Sequence, residues 1–353
     1  MGRGGLVRHL LLIPLLMAAA MSPTFAQTDE GEAQKMRDAC AKSEVPQDQI
    51  DACTKLMDKL RPQGRELAQA LYQRGAGHAA KGEYADAVRD YTQALKFAPD
   101  SSDALYNRGG AYSKLGRWDD ALADFNALLK IVPNDPNTYY ARAWVQAQRG
   151  QDKAAIADLD QVLAFAPDDQ EALLDRGGMN IRAGRYDDAI RDFSALLKLD
   201  AKAAAAAYNR GRAYYAKEDF KNAAEDFALT LKLRADNPYA ALRLYLAQSH
   251  LGKGDEAVLK KGIDGLDPTI WPRPLLELFA GTGKDPELIA GIDQLPPQFR
   301  TNVLCEAQYY LGERALLKGD KKAARDYFAA AAATGASTTI EHIDAKGALA
   351  RLK

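Results

Sequence analysis

Cysteine is scarce in this sequence. Its three residues, Cys40, Cys53 and Cys305 among 353, are too few for a disulfide-dense scaffold or a four-thiolate zinc site. Histidine is nearly as rare. His78, His250 and His342 fall in separate segments without ligand spacing, which leaves a metal site or a nucleophilic triad without support. An excess of charge is also missing: 47 Lys and Arg stand against 48 Asp and Glu, a formal net charge of −1. Nothing in that balance favours a nucleic acid or another polyanion as partner. Beyond the first residues no apolar run is long enough to span a bilayer. Phosphate-binding loops fail on context as well. Gly75, Gly77 and Ala80 have dinucleotide-fingerprint spacing but no strand before them, and Gly283-Lys284 has Leu278 and Asp285 where a phosphate loop needs glycine and a hydroxyl. No catalytic, cofactor-binding or metal-ligating residue is therefore expected. An enzyme would have to assemble paired carboxylates from distant parts of the chain.

The chain does hold an export signature. Arg3 and Arg8 precede an apolar run from Leu10 to Met21, and Ser22-Pro23-Thr24-Phe25-Ala26 ends on a small residue. That order reads as a signal peptide over residues 1–26, cleaved after Ala26, and it places the protein in the periplasm or outside the cell. No cysteine lies at the end of this segment, so a lipid-modified N-terminus is not supported.

A repeat occupies the interior. Gly75, Gly109, Gly177 and Gly211 lie on one lattice of 34 residues, the interval from 75 to 109, with Ala143 at the remaining node. Arg74, Arg108, Arg142, Arg176 and Arg210 precede those nodes. Ala87, Ala121, Ala155, Ala189 and Ala223 follow at a fixed distance, as do Asp90, Asp124, Asp158, Asp192 and Asp226. Pro99, Pro133 and Pro167 close the first three units. Within a unit, Leu105, Arg108, Gly109 and Tyr112 take the i, i+3, i+4, i+7 spacing of one helix face, and Ala121, Phe125 and Leu128 form the inner face of a second helix. One such hairpin cannot bury its own apolar face, so neighbours must stack.

This pattern resembles the tetratricopeptide repeat family over five consecutive units from about residue 68 to 237. The resemblance implies an all-α, right-handed superhelix, an α-solenoid whose first helix in each unit (helix A) lines a groove. The expected division is a signal peptide at 1–26, an N-terminal helical hairpin with a cysteine pair at 27–66, and a repeat array at 67–262. A helical insert at 263–304 and a C-terminal repeat with a capping helix at 305–353 complete it. The order of the insert, the Tyr310-Leu311-Gly312 and Lys318-Gly319-Asp320 motifs, and Ile340-Glu341-His342 is similar to the NlpI-like periplasmic tetratricopeptide lipoproteins and related exported bacterial proteins. That likeness implies an adaptor that recruits peptidoglycan hydrolases and a protease, commonly as a homodimer. The missing lipid-attachment cysteine and the N-terminal cysteine pair depart from it.

Two sets of side chains remain to be placed. The Arg and Asp columns keep opposite signs in one phase, which favours pairing at the helix interface over a ligand role. Opposite the packing face of helix A, Tyr72, Tyr106, Tyr140, Tyr208 and Tyr239 share a lattice point, with Leu174 in the fourth unit and Trp144 and Arg212 one turn further on. Tyr, Trp and Arg dominate binding hot spots, so this row is the expected site for protein or peptide partners, although some of its rings could instead pack against neighbouring repeats. Cys40 and Cys53 flank the Glu44-Val45-Pro46 turn and are expected to form a disulfide, leaving Cys305 as a thiol. The function read from these features is a non-enzymatic cell-envelope scaffold. The alternatives are an enzyme with an unrecognised site, or a structural subunit whose groove its own chain fills.

Overall fold

The structure, a computed structural model, describes residues 23–352 apart from 265, 268–270, 284 and 338, with the backbone alone at 23–29 and 285–287. The expected signal peptide lies outside the described residues except for its last four backbone positions. Every regular element described is helical. The helices run α1 (Pro23–Lys42), α2 (Pro46–Leu60), α3 (Gly64–Ala80), α4 (Tyr84–Phe97), α5 (Ser102–Lys114), α6 (Trp118–Ile131), α7 (Pro136–Gln148), α8 (Asp152–Phe165), α9 (Gln170–Arg182) and α10 (Tyr186–Leu199). They continue as α11 (Ala204–Ala216), α12 (Phe220–Leu233), α13 (Pro238–His250), α14 (Glu256–Ile263), α15 (Arg273–Phe279), α16 (Asp285–Asp293), α17 (Pro297–Leu317), α18 (Lys321–Ala333) and α19 (Ile340–Arg351). Among them no helix is long and apolar enough to cross a membrane. The fold is an all-α solenoid of helical hairpins.

The chain forms two compact units, one reaching Asp120 and the other running from Ala121. In the first, α1 packs on α2, α2 on α3, α3 on α4 and α4 on α5. Cys40 and Cys53 are joined by a disulfide, and both are buried with Leu56 and Ala70. In the second, the same neighbour-to-neighbour packing runs from α7 to α19, and α17 also packs on α13. The short helices α14 to α16 bring Leu259, Leu275, Leu278 and Leu288 into the core that α17 and α18 share. Helix α17 begins at Pro297, ahead of residue 305, so the last repeat's first helix is longer than the others. Cys305 is a buried thiol, and burial raises its pKa.

Local chemistry fixes where each repeat starts. Two residues after the Pro positions, Ser101, Asp135 and Asp169 accept hydrogen bonds from the backbone N–H groups of Ala104, Thr138 and Ala172, and Asn237 does the same for Ala240. These caps satisfy amide donors that the first helical turn leaves without partners. Ala203 holds the equivalent place before α11 and provides no cap. Ala203→Asp is therefore expected to stabilise the second unit by about 1 kcal/mol. Chemical denaturation followed by circular dichroism measures it, and an unchanged midpoint would count against the capping account.

Candidate functional site

The Arg and Asp columns are structural. Arg74 grips Asp90 with two bonds of 2.7 Å, and Arg142–Asp158, Arg176–Asp192 and Arg210–Asp226 repeat the fork at 2.6–3.1 Å. Each pair joins the two helices of one hairpin. The remaining Nη1 reaches back to the preceding hairpin: Arg74 to Thr54, Arg108 to Thr92, Arg142 to Asn126, Arg176 to Asp160 and Arg210 to Ser194. One guanidinium thus sets register within a repeat and between repeats, a use that suits its planar set of donors. Burial nevertheless pushes the Asp226 carboxyl above its ordinary pKa, against the pull of Arg210.

The tyrosine row divides by environment. In the first unit the Tyr72 hydroxyl accepts from Asn107 Nδ2 at 3.1 Å, its ring stands 5.8 Å from that of Tyr91, and Tyr106 is 37% exposed. In the second unit Tyr140 donates to Asp175 at 2.5 Å on the next helix A, while Trp144 is 40% exposed. Burial, followed by the Asp175 carboxylate, pushes the Tyr140 phenol well above its ordinary range. Towards the C-terminus the row turns inward. Tyr208 packs 5.8 Å from Phe227, and Tyr239 donates to Glu306 Oε2 at 2.8 Å. Arg212 is buried and holds Asp344 of α19 with bonds of 2.7 and 3.3 Å. Tyr208, Arg212 and Tyr239 are thus engaged by the chain itself, whereas Tyr106 and Trp144 present broad exposed surface.

What engages them is a buried charge cluster that sequence spacing did not reveal. Arg243, 2% exposed, donates to Asp344 at 2.7 Å and lies over the rings of Tyr208, Tyr309 and Tyr310 at 5.5–5.8 Å. Burial alone would raise the Asp344 carboxyl, but Arg212 and Arg243 overcome it and hold the pKa below its ordinary value. Glu306 behaves oppositely. Burial and then Glu341 raise its pKa, while Oε2 accepts from Tyr239 and from the Trp271 indole at 2.5 Å, tying α13, the insert and α17 together. A further grouping missed in the sequence is His78, Glu83 and Asp86, which converge in the first unit. Lys81 lies 2.7 Å from Glu83, and Arg89 pairs with Asp86, so these carboxylates already have cationic partners.

The repeat has a counterpart among known families. The tetratricopeptide repeat profile matches residues 67–136, 140–190 and 180–239, the segment in which the Gly, Ala, Arg and Asp columns recur. Over these residues the chain belongs to the tetratricopeptide repeat family. One solved structure agrees in fold. The C-terminal part of a repeat-containing protein from Cytophaga hutchinsonii superposes with a TM-score of 0.51 at 16% identity, covering 78% of this chain and 98% of that one. A tetratricopeptide repeat protein from Parabacteroides merdae gives 0.49 at 18% identity, over 80% and 98%. YrrB, described as having an unusual peptide-binding site, gives 0.49 at 23% identity, over 54% and 96%. No curated protein shows a significant match. Tetratricopeptide repeat proteins generally bind protein or peptide partners, and in this one the most exposed aromatics of helices α5 and α7 are Tyr106 and Trp144.

Proposed function

We propose that the chain is a non-enzymatic scaffold of the cell envelope that captures protein or peptide partners on the aromatic row of its A helices. The observation that carries this reading is the exposure of Trp144 beside Tyr140 on α7. Large aromatic area with a polar handle is what hot spots use, and here it faces outward. In the first unit Tyr72 and Tyr106 hold the lattice point of Tyr140. The Cys40–Cys53 disulfide favours an oxidising compartment, in keeping with export through residues 1–26. Recruitment of peptidoglycan hydrolases or a protease, and assembly as a homodimer, is the fuller form of the proposal and rests on the likeness to NlpI-like proteins. A structural role has its own support, since α19 covers the row at Arg212.

Capture is expected to depend on few residues. Tyr140→Ala and Trp144→Ala should each cost on the order of 2 kcal/mol of binding. Trp144→Ala should leave the melt near that of the parent chain, whereas Tyr140→Ala, which removes the bond to Asp175, should lower it modestly while helicity is kept. The exposed Lys130 on α6 is the control, and its charge reversal should do neither. Affinity capture from envelope extract by the full chain and the variants reads the difference, and undiminished capture by the folded double variant would move the site elsewhere. Export predicts Gln27 as the first residue of the functional protein, and N-terminal sequencing that recovers Met1 would refute it.

A further inference from the structure

The second unit contains a cleft of about 960 Å³ between the hairpin turns near Arg149 and Arg182 and the outer face of α19, within the range of about 300–1,000 Å³ usual for ligand sites. Helix α19 has two faces. Asp344, Ala345 and Ala348 secure it inward through Arg212, Arg243 and the shared core, while Ile343, Lys346, Gly347 and Ala350 line the cleft at i, i+3, i+4, i+7. A Cβ on Gly347 would stand 2.6 Å from the Tyr186 hydroxyl, so α19 closely approaches α10. The cleft wall is therefore built by the fold.

Its charge is one-sided. Arg149, Arg182, Lys346 and Arg351 contribute cations; Asp152, paired with Arg182, is the carboxylate among the lining residues, and Glu218, outside the lining, faces Arg351 at 3.6 Å. In a chain of net charge −1 this positive surface is local, and concave walls concentrate its field. The half-buried Ile343 adds apolar area. His342, 5% exposed, also lines the cleft, and its Nδ1 has no hydrogen-bond partner. Burial, then Lys346, lowers the pKa of this ring, and a hydrogen bond to the Ala331 carbonyl opposes the shift. A neutral ring donating to that carbonyl through its other nitrogen leaves Nδ1 as a buried acceptor in want of an N–H.

We propose that this cleft docks an acidic peptide segment of a partner protein. Aspartate and glutamate side chains meet the Arg and Lys residues, and apolar side chains meet Ile343. A small inorganic anion offers only the first of these. The inference deepens the peptide-binding reading and rests on it, but it uses residues separate from Tyr140 and Trp144.

The test uses the full chain and a fluorescein-labelled, end-blocked dodecapeptide alternating Asp and Glu with Ala and Leu, followed by fluorescence anisotropy. The same peptide with Asn and Gln for the acids should bind at least tenfold more weakly. Lys346→Glu with Arg149→Glu, both at exposed positions, should weaken the acidic probe at least tenfold without altering the circular-dichroism melt. Tyr140→Ala with Trp144→Ala should leave it unchanged. Absence of binding, equal affinity for the amide peptide, indifference to the double charge reversal, or equal competition by a dodecameric oligothymidylate or by phosphate would each overturn the proposal. Loss of the probe only in the aromatic variant would overturn the basic cleft while leaving the peptide-binding reading intact.

Discussion

Asp344→Asn is expected to cost the second unit about 3–5 kcal/mol, because it removes the carboxylate that both Arg212 and Arg243 hold in a buried setting. The loss is larger than that of a surface ion pair, since two guanidiniums stay desolvated with their main counterion gone. Release of α19 should come first, seen as faster limited proteolysis after α18 and a less cooperative urea transition. The pH dependence has a fixed sign. The folded-state pKa of Asp344 is lowered, so its contribution is present above the unfolded value, near 3.8, and is lost as pH falls through the folded one. Stability measured from pH 6 downward should therefore decline more in the parent chain than in the variant, and parallel declines would remove Asp344 from the account.

The second large effect concerns packing between the two helices of a hairpin. A Cβ at Gly177 would lie 2.6 Å from Phe193 Cε1, and Gly211 and Gly312 face Phe227 and Phe328 at 2.9 and 2.6 Å. Where the lattice has Ala143 in place of glycine, its partner sixteen positions on is Leu159, and both are fully buried in one core. Volume at the node and volume opposite it thus trade against each other. Gly177→Ala should destabilise by about 1–3 kcal/mol through overpacking. Phe193→Leu in the same chain should recover part of that loss although it is destabilising alone. Denaturation of the four members of this double-mutant cycle decides the matter, and additive losses would show that the two sites are independent.

The repeat was legible because its physics is local and recurs. The Gly node, the Ala column and the Arg and Asp columns each recur at a constant interval, and five copies in register reveal a fold that one copy would not. Spacing alone left open whether the Arg column bridges repeats. The structure shows that it does both, through different nitrogens of the same guanidinium. The tyrosine row was visible as a row, yet its environment was not: a shared lattice point says nothing of what a later helix lays over it. Arg212 and Arg243 meet Asp344 across 132 and 101 residues of sequence. No periodic signal encodes a contact made by a nonrepeating terminal helix, so both the charge cluster and the cleft beside α19 emerged only in three dimensions.

The central claim, that partners bind on the aromatic face of the A helices, is tested most directly by site-specific photocrosslinking. Replacing Trp144 with the photoreactive p-benzoylphenylalanine keeps an aromatic side chain at an exposed position, and the same replacement at Lys130 supplies a control in the same unit. The account predicts a discrete crosslinked adduct at 144 in envelope preparations, diminished when Tyr140→Ala is added, and little or none at 130. Equal adducts at the two positions, or adducts at 130 alone, would contradict it.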